Sequence, residues 1–196
     1  GGQNLAHPIM WSSEKKVQCI LKSGAVLTCL DKAPPADAFR PCFIGTTKEI
    51  FQEKDIQWDR LLNLEPAAGK PKWAELERYF ERPWLDNLAS WTIQVTGPSE
   101  NNPIYGREFA RITSLVGLAL NCKGSKEEKR KSLIGIIQYG IDIHGFIQNG
   151  VNYMADGGHY SGRKFPVIFA GLMLDKKEFY TFADDMRFQE DQDTYY

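Results

Sequence analysis

The chain has 196 residues, of which 42% are hydrophobic, 12% aromatic and 25% charged; 24 basic side chains against 25 acidic ones leave a net charge of −1. A chain of this length and composition can bury a real core, as one domain or as one domain with a small appendage, without disulfides. The two signs of charge are interspersed, so no footprint for nucleic acid or an anionic membrane is present, and no apolar run reaches the roughly 18 to 20 residues of a membrane span.

From the N-terminus, residues 16–31 read as a β-hairpin. Val17, Cys19 and Leu21 alternate with polar residues, Lys22-Ser23-Gly24 supplies the turn, and Val26, Thr28 and Leu30 alternate again. Cys19 and Cys29 would face each other there. With Cys42 and Cys122 they form no C-x-x-C pair, so zinc is not expected, and buried free thiols are the commoner use. Pro34, Pro35 and Pro41 make the next stretch extended and irregular. Residues 1–70 are thus expected to be a β-type section with a Pro-rich segment packed on helices formed by residues 71–196.

From Pro71 the period becomes helical, with Trp73, Leu76, Phe80, Trp84, Leu88 and Trp91 on one face and Pro83 dividing the pattern near Arg82. A second helix is expected from Pro103, capped by Asn102, to about Asn121. Ser125-Lys126-Glu127-Glu128 has the form of a capping box and starts a third helix, whose charge run at 126–131 reads as its solvated first turns. Two short helices follow, over 164–174 and from 176 to about 185. The tail from Arg187 offers no closing element, which suggests a piece of a larger protein. The fold class is therefore mainly α, in antiparallel helical hairpins, with a small β-type N-terminal section.

Chemistry is most expected in Asp156-Gly157-Gly158-His159-Tyr160-Ser161-Gly162-Arg163-Lys164, a glycine-bearing loop that runs into an apolar helix. Two cations at a helix N-terminus oppose its positive dipole, and a bound carboxylate would relieve that cost. The bland alternative is that Arg163 and Lys164 face solvent or pair with Asp142 or Asp156. The loop lacks the Lys and Ser/Thr of a phosphate-binding loop, and no strand precedes it. Asp142 and His144 stand among isoleucines and must find partners, and they share no familiar metal-ligand spacing with His159. Asn101, Tyr105 and Arg107 form a further polar cluster before the second helix. No metal and no cofactor are expected.

Tyr105-Gly106-Arg107-Glu108, Gln138-Tyr139-Gly140-Ile141-Asp142, Gly157-Gly158-His159, Ser161-Gly162-Arg163-Lys164 and Phe169-Ala170-Gly171-Leu172 together resemble a group of larger bacterial and environmental proteins. More distantly, paired helices with Gly-Gly-His loops are similar to the (α/α) toroid of polysaccharide lyases and six-hairpin glycosidases. The resemblance implies a glycan-handling protein acting on an acidic polysaccharide. In that scheme Arg163 and Asn101 neutralise a uronate, His159 and Tyr105 act as base and acid, and Lys164, Arg107, Asp142 and His144 contribute to substrate binding. The competing reading is a non-catalytic structural or glycan-binding helical module that forms a homo-oligomer.

Overall fold

The computed structural model of the protein describes residues 27–84 and 106–193. These are mainly helical, with α1 at Trp73–Glu77, α2 at Gly106–Leu120, α3 at Lys126–Gln148, α4 at Lys164–Leu174 and α5 at Gln189–Gln192. Among the described residues there is no sheet; three isolated bridges join Ala38 to Gln52, Leu64 to Cys122 and Tyr153 to Phe188. The expected hairpin falls on residues outside those described, except for 27–31, which carry no strand. Asn102 and Pro103, the expected start of α2, also lie outside them. No helix of the described residues is long and apolar enough to cross a membrane.

The start of α3 follows its sequence closely. The Ser125 hydroxyl accepts from the Glu128 amide at 3.2 Å and the Glu128 carboxylate accepts from the Ser125 amide at 2.9 Å, so two donors that the helix leaves orphaned are satisfied reciprocally. α1 passes into a 3-10 turn at Arg78–Phe80, and the helical path stops before Pro83, which disfavours the α region at Arg82. The helix expected at 176–185 does not form. Only a 3-10 turn, Lys177–Phe179, is present, followed by an irregular segment. Thr181, Asp184 and Asp185 are poor helix formers, and the Thr181 hydroxyl donates to the Lys177 carbonyl at 2.9 Å. Tertiary contact then decides the path: Phe179 and Phe188 are fully buried at spacings that no single helix face provides.

One core unites the helices with the chain before them. Phe39, Phe51 and Ile56 are buried in the same cluster as Phe109 and Val116 of α2, Leu133 and Ile137 of α3, and Val167 and Met173 of α4. The irregular segment is tied on by backbone bonds. Gln57 donates to the Met173 carbonyl at 2.7 Å, while Leu64 and Asn121, then Lys123 and Leu64, bond at 2.9 and 2.8 Å. From Tyr139 to Phe146, α3 is buried on every side, so it is the axis on which the other elements pack.

At Gly140, α3 meets α4. A Cβ there would sit inside the van der Waals contact of the Pro166 carbonyl oxygen and the Ala170 methyl. Helix propensity alone makes Gly→Ala favourable by about 1 kcal/mol, whereas forcing two backbones apart costs about 1–3 kcal/mol or more. Gly140→Ala is therefore expected to destabilise the protein by about 2 kcal/mol in urea titration; a stabilised variant would show that the two helices do not touch at this point.

Candidate functional site

Two places gather polar chemistry. The first is an open groove of about 540 Å³ between α3, the end of α1 with its 3-10 extension, and residues 36–40. Its floor is a short network. Arg40 donates from Nη2 to Asp142 Oδ2 at 2.5 Å, the Arg40 amide donates to Gln138 Oε1 at 2.9 Å, and Gln138 Nε2 donates to the Arg40 carbonyl at 2.9 Å. Gln138 and Asp142 are one helical turn apart on α3, and so a single face reads both the backbone and the side chain of Arg40. Two further cations of the groove are paired: Arg130 meets both oxygens of Glu53 at 2.5 Å, and Lys131 meets Glu77 at 3.3 Å. The half-buried Phe80 ring lies over Gly135 of α3 and stacks on Trp84 at 5.2 Å.

Asp142 is 2% exposed, and burial pushes its carboxyl up to about 6, with Arg40 pulling it the other way. Its Oδ1 has no hydrogen-bond partner. The buried Cys42 thiol donates to the Asp142 carbonyl at 3.4 Å, and burial raises that thiol to about 11, which keeps it protonated. Cys29, by contrast, is an exposed free thiol.

The second place is the glycine loop, and here the expected anion is supplied by the chain itself. Glu190 Oε1 accepts from the amides of Gly162 at 2.6 Å, Arg163 at 3.0 Å and Lys164 at 3.3 Å, so a carboxylate caps the N-terminus of α4. Lys164 pairs with Asp191, and Gln189 Oε1 accepts from the Tyr160 amide at 3.0 Å. The tail from Phe188 thus closes onto the loop, where the sequence suggested no closing element. Gly162, at φ +87°, lies against the backbone of Phe109 and Ala110, a conformation and a closeness that only glycine supplies.

The candidate residues divide among separate surroundings. Arg163 is 3% exposed; its guanidinium lies 3.7 Å from the Phe109 ring centroid and donates from Nη1 to the carbonyls of Ser161 at 2.7 Å and His159 at 3.3 Å. It packs within the loop and against α2. His159 is half-buried, and its backbone abuts Gly106 at the start of α2. Arg107 is exposed and pairs with Glu108 at 2.8 Å. His144 is buried against Phe179, with ring centroids 4.0 Å apart and planes 10° from parallel; burial lowers its pKa, and Nε2 has no hydrogen-bond partner. Asn101 and Tyr105 lie outside the described residues. Of the candidates that are described, Asp142 alone lines the groove. Sequence reasoning missed Arg40, Gln138 and Phe80 as a group; the four-residue spacing of Gln138 and Asp142 was a signal for one member and its neighbour, while Arg40 sits in an irregular segment with no period to read.

The chain matches no protein family, no curated protein and no solved structure.

Two outcomes follow from these contacts. Glu190→Ala should cost about 1–2 kcal/mol in urea denaturation, since three amides lose their acceptor, and Glu190→Gln should recover part of it; an alanine variant as stable as the parent would show that the cap carries no weight. For Asp142, the folded state keeps a proton between 3.8 and about 6 that the unfolded chain releases. Its contribution is fully present below the unfolded value and is lost as pH rises through the folded one. The stability of the parent minus that of Asp142→Asn should therefore fall by roughly 2–3 kcal/mol between about pH 4 and about pH 7. A difference that stays flat over this range would contradict the assignment.

Proposed function

We propose that this chain is a glycan-handling protein whose groove between α3 and residues 36–40 receives a hydroxyl-rich ligand, and that its role is binding rather than turnover. The observation that carries this reading is the composition of the groove. A half-buried aromatic ring, Phe80, stands beside guanidinium, carboxylate and amide groups of Arg40, Arg130, Glu53, Glu77 and Gln138. Sugars require this combination, an apolar ring face flanked by groups that donate to and accept from hydroxyls. Because Arg40, Arg130 and Lys131 of the groove are matched to carboxylates of the same chain, a neutral glycan suits it better than an acidic one. The catalytic form of the reading, a lyase or hydrolase on an acidic polysaccharide, would draw instead on His159 and Tyr105. Arg163 is buried and Lys164 is paired, which supports the non-catalytic form. Likeness to part of an (α/α) toroid of helical hairpins, with a β-type N-terminal section, belongs to the same proposal, as does a homo-oligomer as the second partner.

Titration of neutral and uronate oligosaccharides by calorimetry or NMR tests it. Saturable binding of a neutral series is expected, weakened about tenfold, or roughly 1.4 kcal/mol, by Arg40→Ala and by Phe80→Ala in folded protein, and unchanged by Lys164→Ala. No binding across the panel would end the proposal. Release of unsaturated sugar, abolished by His159→Ala, would instead establish the catalytic form.

A further inference from the structure

The floor of the groove holds an acceptor that the chain leaves unmet. Asp142, 2% exposed, lines the groove and gives one carboxylate oxygen, Oδ2, to Arg40 at 2.5 Å. The other, Oδ1, is buried and takes no hydrogen bond from the described residues. A buried acceptor without a donor is costly, and more so when it carries charge, so a ligand donor that reaches it gains more than one on open surface. Arg40 supplies the donors beside it. Of its five guanidinium N–H groups, one on Nη2 goes to Asp142 and one on Nη1 to the Pro41 carbonyl at 3.0 Å. The rest have no acceptor among the described residues, and the side chain, 24% exposed, also lines the groove.

Charge decides what chemistry fits. Arg40 and Asp142 are neutral as a pair, and an ammonium or carboxylate laid on them would bring an uncompensated charge to a desolvated position. Hydroxyls donate and accept without one. We infer that this pair selects a vicinal diol: one hydroxyl of the ligand donates to Asp142 Oδ1, and the hydroxyl on the adjacent carbon accepts from the Arg40 guanidinium. The inference rests on the glycan reading of the groove and says which part of the sugar is read. Spacing sets the size of the ligand. Gly135, which lies under the Phe80 ring, and Asp142 are seven residues apart on one face of α3, about two turns or roughly 10 Å along the helix. A sugar ring with its diol on Asp142 therefore leaves Phe80 to the next unit of the oligosaccharide, and the ligand has at least two units.

Calorimetric titration at about pH 8 tests it, since burial raises the Asp142 carboxyl only to about 6 and leaves it ionised there. The probes are cellobiose, maltose and mannobiose, each with analogues that lack one ring hydroxyl. Removing either hydroxyl of the diol should weaken binding about tenfold. Asp142→Asn, checked for folding by circular dichroism, should weaken the parent sugar by a similar factor and erase the penalty for losing the donating hydroxyl, because that interaction is already gone. Arg40→Lys should do the same for the neighbouring hydroxyl, and this second cycle carries the test if Asp142→Asn does not fold. Two results would overturn the inference and leave the glycan reading standing: deoxy analogues that bind as tightly as the parent sugars, or penalties that persist in the folded variants. No binding by any disaccharide would end both.

Discussion

Everything described depends on α3 being approached closely from three sides. Gly135, Gly140 and Gly145 recur at intervals of five residues, which places them about 140° apart around a helix of 3.6 residues per turn. Each faces a different neighbour: Gly135 lies under Phe80, Gly140 under Pro166 of α4, and Gly145 under Cys42 of the irregular segment. Any side chain at these positions would push one neighbour outward. The stretch from Tyr139 to Phe146, buried on every side, follows from that arrangement.

The cations that drew attention in the sequence find their contacts within the chain. A positive helix end with two adjacent cations invites an anion, and the physics of that expectation holds at α4. The anion is Glu190, supplied by the following polypeptide, with Asp191 beside it for Lys164. Arg163 is withdrawn further, its guanidinium stacked on Phe109 and bonded to two carbonyls of its own loop. Local chemistry therefore located a true electrostatic demand, but could not say whether a ligand or the protein meets it, because the residue that does so is 26 to 28 positions away.

Legibility in the sequence tracks the range of the interaction. The capping box at Ser125 is complete within four residues and appears as read, and α2 and α4 end within a residue of where their patterns stop. The segment after Lys176 failed for the opposite reason: Phe179 packs on Phe51 and His144, and Phe182 packs on Phe188, so contacts distant in the chain set its path. The candidate site was half legible. Asp142 could be singled out as a polar group that must be satisfied, yet its partner Arg40 is 102 residues away in a segment without periodicity. Nothing in composition or spacing joins the two.

That long-range pair also explains how an irregular segment can form a groove wall. Apolar contacts such as those of Phe39 and Phe51 hold the segment down, but they are non-directional and tolerate sliding. Gln138 exchanges two hydrogen bonds with the Arg40 backbone, and Asp142 takes the Arg40 side chain, so three directed bonds fix one residue of the segment against one turn of α3. A buried carboxylate is a costly means of attachment, since desolvation works against its charge. His144, two residues on, shows the cheaper alternative: it is held by stacking on Phe179 and fixes no register. Asp142 stands where position matters and His144 where only packing does, which places the directional chemistry of α3 on the side that faces the groove.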